Sequence, residues 1–214
     1  MKARLKILDL CCGGGGASEG YWMAGHDPRG IDNRKQPHYR FPMLQMDALE
    51  ALERFGKYAD VIHASPPCQT FTIAGNLARA QGKQASTVDL LTPVREALIA
   101  SEKPYIIENV PRAPMLNPIV LCGSTFGLRV RRHRLFESNL PLEAHGPCRH
   151  KEQGKPVGVY HAMNDAIPKG GTTAKTLEEG REAMGIDWMN WRELKEAVPP
   201  EYTLFLGRQL EWLL

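Results

Sequence analysis

Arg4-Leu5-Lys6-Ile7-Leu8-Asp9-Leu10 runs directly into Cys11-Cys12-Gly13-Gly14-Gly15-Gly16. The first part is apolar and partly alternating, as a buried strand is, and Ala17 to Ala24 then reads as a helix that stops before Gly25. Four consecutive glycines let the chain turn sharply between strand and helix while its backbone approaches a ligand closely. The dinucleotide fingerprint G-x-G-x-x-G fits Gly13 and Gly15 but then meets Ser18, which favours a nucleotide-like ligand with a different tail.

The same alternation of short apolar runs and helical stretches continues outward. A second strand ends near Asp32, a third lies around Met43 to Asp47, and a helix over Ala48 to Phe55 stops at Gly56. Asp60 to Ser65 is a buried strand broken by Pro66 and Pro67, Leu90 to Ala100 is a helix, and Tyr105 to Val110 is another buried strand. Thr203 to Leu214 reads as an apolar-faced helix that returns to the core, and Thr70 to Ser86 as a mobile polar loop. The expected fold is α/β, a Rossmann-like, mostly parallel sheet with helices on both faces. Three regions are expected: a catalytic and cofactor-binding core over 1–138, a small polar appendage over 139–176 and C-terminal helices over 177–214.

At 214 residues, 43% hydrophobic and 24% charged, the chain can bury one sizeable core. Its net charge of +3 neither demands nor opposes a nucleic-acid partner. Five cysteines, two of them adjacent, do not form a secreted disulfide framework, so a reducing cytoplasm is expected. The apolar stretch of the opening segment is too short for a signal sequence, and no run approaches a membrane span; a soluble monomer is expected.

Chemistry-bearing residues gather at the strand ends. Asp32 lies where a carboxylate accepts bonds from ribose hydroxyls, and Asp47 ends the third strand; either could instead cap the segment that follows. Ser65-Pro66-Pro67-Cys68-Gln69 places a cysteine just past a buried strand, on stiffened backbone, though a lone cysteine is more often a small core residue. Ile106-Ile107-Glu108-Asn109-Val110 places an acid straight after an apolar run, where it is costly unless it faces a partner. Arg129 to Arg134 holds four arginines in six residues; Arg132 and Arg134, two apart on a strand, would share a face and suit an anion.

These blocks together resemble the cytosine carbon-5 DNA methyltransferase family, and the resemblance covers most of the chain outside the appendage. Asp9, Leu10, Gly13, Gly15 and Gly16 match the family's first block, with Cys11 where an aromatic residue normally packs on the adenine. Pro67, Cys68 and Gln69 match its Pro-Cys-Gln, and Glu108, Asn109 and Val110 its Glu-Asn-Val; Arg132 and Arg134 match its Gln-x-Arg-x-Arg, with Val130 in place of Gln. The terminal block departs, reading Gly207-Arg208-Gln209-Leu210 after Tyr202.

The resemblance implies a class I S-adenosylmethionine-dependent methyltransferase fold and methyl transfer to carbon 5 of cytosine in DNA. It makes Cys68 the covalent nucleophile, Glu108 the acid at the ring, and Arg132 and Arg134 the residues that hold the base or a phosphate. It puts S-adenosylmethionine on Asp9, Leu10, Cys11, Gly13, Gly15, Gly16, Asp32, Asp47 and Pro66. DNA falls to Pro67, Gln69, Thr70, Phe71, Asn109 and Val110, with Arg149 and Lys151 of the appendage as candidates to touch bases or phosphates. The appendage stands where the family carries a much longer target-recognition region, a compactness similar to that of phage-encoded members. RNA as the methylated polymer, or a binding protein without turnover, are the alternatives.

His145, Cys148 and His150, with Cys122 or His161 as a fourth group, are candidate zinc ligands. His-x-x-Cys-x-His is not a standard structural-zinc spacing, so a plain polar loop is expected and no metal is assigned.

Overall fold

The computed structural model of the chain describes residues 4–67, 89–160 and 170–214. Among these residues seven strands form one sheet in the order β3-β2-β1-β4-β5-β7-β6. They are β1 (Lys6–Leu10), β2 (Asp27–Asp32), β3 (Met43–Gln45), β4 (Val61–Ala64), β5 (Tyr105–Asn109), β6 (Ile119–Leu121) and β7 (Arg134–Ser138). The first five run parallel, whereas β7 is antiparallel to both β5 and β6. Six helices accompany them: α1 (Gly16–Met23), α2 (Ala48–Phe55), α3 (Leu91–Ala100), α4 (Leu177–Met184), α5 (Trp191–Glu196) and α6 (Pro200–Leu213). A small parallel pair, β8 (Val157–Gly158) with β9 (Thr172–Thr173), stands apart from the sheet.

The expected Rossmann-like sheet is therefore present, and the strand residues show why it is covered on both faces. Alternate residues point to opposite faces. Leu8, Leu10, Ile62, Ala64 and Ile107 pack with α2 and α3, whereas Ile7, Val61, Ile106 and Phe136 pack with α1 and α6. Helices α1 and α6 touch closely because glycines line the contact: a Cβ on Gly16 would lie 2.1 Å from the Val198 carbonyl oxygen, and one on Gly20 2.1 Å from that of Pro200. Gly207, in the unusual terminal block, faces this same contact, where a Cβ would meet Ala24 at 2.8 Å. The His26 ring bonds the Gly207 carbonyl oxygen at 2.9 Å.

A third apolar cluster joins Val157, Val159 and Ala174 to Ala183, Met184, Ile186, Met189 and Leu194. Residues of the appendage thus share a core with α4 and α5. From Leu140 to Lys155 the chain forms neither helix nor strand. Among the described residues no helix is long and apolar enough to cross a membrane.

Candidate active site

The carboxyl ends of β1, β4 and β5 lie side by side, with Leu10 opposite Ala64 and Ala64 opposite Ile107. Strand order reverses between β1 and β4, and in open parallel sheets ligands bind in the crevice outside such a reversal. Three segments enter this crevice: the glycine turn from β1, Ser65-Pro66-Pro67 from β4, and Glu108-Asn109-Val110 from β5.

The glycine turn has the conformation that four glycines predict. Gly13 and Gly15 take φ of 49° and 86°, and a Cβ on Gly13 would meet nothing within 4 Å, so that backbone faces open space. The Asp32 carboxylate accepts the Gly13 amide at 3.0 Å and the Arg34 amide at 2.9 Å. Asp47 caps α2, accepting the Leu49 and Glu50 amides through Oδ1. Burial, then Asp32, Asp9 and Asp47, push the Cys11 thiol up to about 12, which places three carboxylates around the turn. Asp9 is fully buried, accepts a hydrogen bond from Ser18 and leaves Oδ1 without a partner. Burial raises its carboxyl to about 7.

Tyr39 and Trp188 join this turn without any sign in the sequence. Tyr39 donates to Ser18 at 2.7 Å, since the Ser18 proton goes to Asp9, and its ring fills the space beside Gly15 and Gly30. Trp188 donates to the Gly14 carbonyl at 2.8 Å. Neither residue sits at a recognisable spacing from the turn.

Glu108 is the last residue but one of β5 and is 7% exposed. Because β7 runs antiparallel to β5, its first residue, Arg134, arrives beside the end of β5, and the Arg134 Nε donates to Glu108 Oε1 at 2.9 Å. Burial raises the Glu108 carboxyl, while Arg134, Arg132 and a hydrogen bond with Ser65 oppose the rise. Burial keeps His63 neutral, lowering it to about 3. Its two nitrogens meet the Tyr21 hydroxyl and the Ser65 hydroxyl, each at 3.0 Å. If Ser65 gives its single proton to Glu108, it must accept from His63 Nε2, and Tyr21 must then donate to Nδ1. Tyr21, His63 and Ser65 thus form one hydrogen-bonded line that leads from the core toward the Glu108 carboxyl.

Asn109 is buried and fixes the neighbouring loop, donating to the Pro66 carbonyl at 3.2 Å while accepting the Val110 amide. Pro66 is buried and Pro67 exposed. Cys68, Gln69, Thr70 and Phe71, and with them the loop from Thr70 to Ser86, lie outside the described residues, as does His161.

Arg132 corrects one expectation. It precedes β7 with φ of 35°, so strand alternation does not relate it to Arg134. Its guanidinium donates to the Ala197 and Lys195 carbonyls at 2.8 and 2.6 Å and to the Tyr160 hydroxyl at 3.2 Å. Tyr202 of α6 holds its backbone, donating to the Arg132 carbonyl at 2.9 Å. Arg149 and Lys151 are exposed on the polar segment, with the Arg149 amide bonded to Ser124 Oγ at 3.0 Å.

Comparison with known proteins bears on the family and the fold. Across 120 residues, 51% of this chain and 93% of the relative, the sequence is 31% identical to the type II methyltransferase M.HgiGI of Herpetosiphon aurantiacus. The chain belongs to the cytosine-5 DNA methyltransferase-like family. It is a methyltransferase of the class I fold, and its cofactor is S-adenosylmethionine. No protein-family model matches the sequence. Among solved structures, a prophage-encoded protein of E. coli described as a DNA modification methyltransferase superposes with a TM-score of 0.65 at 15% identity, covering 98% of this chain and 99% of that one. The Dnmt2 methyltransferase of S. pombe gives 0.59 at 14% identity, covering 99% and 98%. At such identities these two neighbours show the fold.

The residues at the glycine turn fit the cofactor. The open face at Gly13, the carboxylate of Asp32 at the end of β2 and the unpartnered Asp9 Oδ1 suit a ligand that carries hydroxyls and an amine.

Proposed function

We propose that this methyltransferase acts on carbon 5 of cytosine in DNA, with Cys68 as nucleophile and Glu108 as the acid that engages the ring. The observation that carries the proposal is Glu108: a buried carboxyl, raised by desolvation and ion-paired to Arg134, at a strand end adjoining the one that leads into Pro66-Pro67-Cys68. Carbon 5 of cytosine is a poor nucleophile until something adds to carbon 6, and a thiolate adds well and leaves well. The addition builds negative charge on the ring. A protonated Glu108 can donate at ring nitrogen 3 and neutralise that charge, while accepting from the exocyclic amine. Arg134 keeps the carboxyl in place and limits how far its pKa rises.

Bound S-adenosylmethionine supplies the electrophilic methyl group. Asp32 would hold its ribose hydroxyls, Asp47 its adenine amine, and Asp9, Leu10, Cys11, Gly13, Gly15, Gly16 and Pro66 would line the rest of its site. Arg132, committed to the Ala197 and Lys195 carbonyls, acts by fixing the segment that delivers Arg134. Because carbon 6 is inaccessible in a stacked duplex, the target base must be flipped out, and Pro67, Gln69, Thr70, Phe71, Asn109 and Val110 would receive it. Residues 139–176 are proposed as a reduced target-recognition region, with Arg149 and Lys151 at the phosphates or bases.

Trapping tests this. DNA carrying 5-fluorocytosine should form a denaturation-resistant complex with the wild-type chain and none with Cys68→Ala. Capture of 5-fluorocytosine RNA but not DNA would replace the substrate, and absence of any adduct would overturn the covalent mechanism.

A further inference from the structure

Four potential metal ligands converge outside the crevice. Cys122 Sγ, one nitrogen each of His133 and His150, and Cys148 Sγ all lie within 4.8 Å of one another. Two of the separations, Cys122 Sγ to His150 Nε2 and His133 Nε2 to Cys148 Sγ, are 3.3 Å. The His133 and His150 rings stand edge-on at 80°, with centroids 5.1 Å apart, rather than stacked face to face. Both cysteines are free thiols.

The fold brings them together in two halves. Leu121 pairs with Arg134 across β6 and β7, so Cys122 and His133, the next residues outward, sit on opposite sides of one strand end. The bond from the Gly123 amide to the Arg131 carbonyl, 2.8 Å, tightens that end. Cys148 and His150 come from the polar segment, which Ser124 holds in place by contacting Cys122 Sγ at 3.1 Å and accepting the Arg149 amide at 3.0 Å. The candidates read from sequence, where a plain polar loop is expected, include His145, but that ring packs against Phe126 and Phe205, with centroids 4.6 and 4.8 Å away. The fourth group is His133, inside the arginine run.

We infer that Cys122, His133, Cys148 and His150 bind one zinc ion in a closed, structural site that fastens the polar segment to the start of β7. Two thiolates and two imidazoles are a soft, tetrahedral donor set characteristic of zinc. Bonds of about 2.3 Å to sulfur and about 2.0 to 2.1 Å to nitrogen imply ligand separations of about 3.3 to 3.8 Å, which the two short pairs already meet. With four protein ligands no position is left for water or substrate, so the ion organises and does not catalyse. Both thiols give up their protons to solvent on binding, and zinc uptake is accompanied by acidification.

The segment from Leu140 to Lys155 has no helix or strand, and chains of that length rarely hold one shape unaided. The zinc supplies that restraint. Arg149 and Lys151, exposed on either side of His150, are thereby fixed relative to Arg134, which follows His133 directly.

Metal content tests the site independently of any reaction. Chain purified with reductant and without chelator should contain about one zinc by mass spectrometry of the digested protein, and His145→Ala should keep it. Cys148→Ser with His150→Ala, both on the polar segment, should hold less than a tenth of that while still binding S-adenosylmethionine. Cobalt exchanged into the wild type should show the visible bands of tetrahedral thiolate ligation. Should the double variant fail to fold, chelation of the wild type must make the 140–155 segment markedly faster to cleave by protease. Wild type that stays metal-free after incubation with zinc and reductant, zinc retained by a folded double variant, or a Cys122–Cys148 disulfide in the freshly isolated protein would overturn the site.

Discussion

Glu108 shows how a single carboxyl acquires two opposed influences. Burial favours its neutral form, and Arg134 with Ser65 favours the charged one, so its protonation depends on small changes nearby. Glu108→Gln keeps a hydrogen-bonding group but cannot hand over a proton, and turnover should fall by about a hundredfold to ten-thousandfold, read in single-turnover assays. Asp9 lies on the simpler side. Its carboxyl is raised to about 7 by burial, so between the unfolded value near 4 and 7 the folded protein binds the extra proton. That stability is present at low pH and is lost as pH rises through about 7. Asp9→Asn, which never ionises, should flatten the profile, gaining on the order of 4 kcal/mol over wild type between pH 4 and 8. Urea melts of the cofactor-free protein across that range measure it; parallel profiles for the two proteins would exclude Asp9 as the titrating group.

Between elements, the decisive contacts are pairs that only the fold assembles. Arg95 of α3 grips Glu137 of β7 through two bonds, at 2.7 and 2.8 Å, in a site where both are buried. Removing one partner strands the other charge, so Arg95→Met should cost about 3 to 5 kcal/mol, whereas adding Glu137→Leu should recover most of it. Chemical denaturation of the single and double variants checks the pairing, and additive losses would contradict it. The same distinction explains what the sequence makes legible. Asp9, the glycine turn, Glu108 and Arg134 are visible because each belongs to a short motif at a strand end, where local pattern and chemistry coincide. The helix over 48–55 and the strands around Leu8, Ile62 and Ile107 follow from periodicity alone. Arg132 is misplaced because alternation assumes continuous extended backbone, and a φ of 35° interrupts it. Tyr39, Trp188 and His133 are invisible for another reason: the partners they meet lie 15 or more residues away in sequence, as does the Tyr21 partner of His63, and only the fold brings them together.

At the scale of the whole molecule, the proposed DNA substrate raises the question of how much sequence residues 139–176 can distinguish. Reading several base pairs in the major groove requires an element that enters it with side chains at fixed geometry, usually a helix or a two-stranded ribbon. Residues 139–176 number 38, and among those described the only regular structure is β8 and β9, two residues each. Val157, Val159 and Ala174 are spent on the core shared with α4 and α5, and His150 faces Cys122. Among the described residues that leaves Arg149, Lys151, Lys155 and Lys175 as the exposed cations of the segment able to reach a nucleic acid. Four long cations outside regular structure suit phosphates better than base edges, because binding a phosphate tolerates imprecise placement. Replacing Arg149 and Lys151 by alanine should therefore weaken binding about equally for all sequences, and should flatten the dependence of log affinity on log salt by about 0.9 for each phosphate that is no longer neutralised. Each good base contact discriminates by about 1 to 3 kcal/mol, so one or two of them can enforce only a short or degenerate context. Methylation by the purified protein, mapped across genomic DNA, should accordingly fall on sites specified at only a few positions; a strict site of about six base pairs or more would show that this segment reads far more than its structure allows.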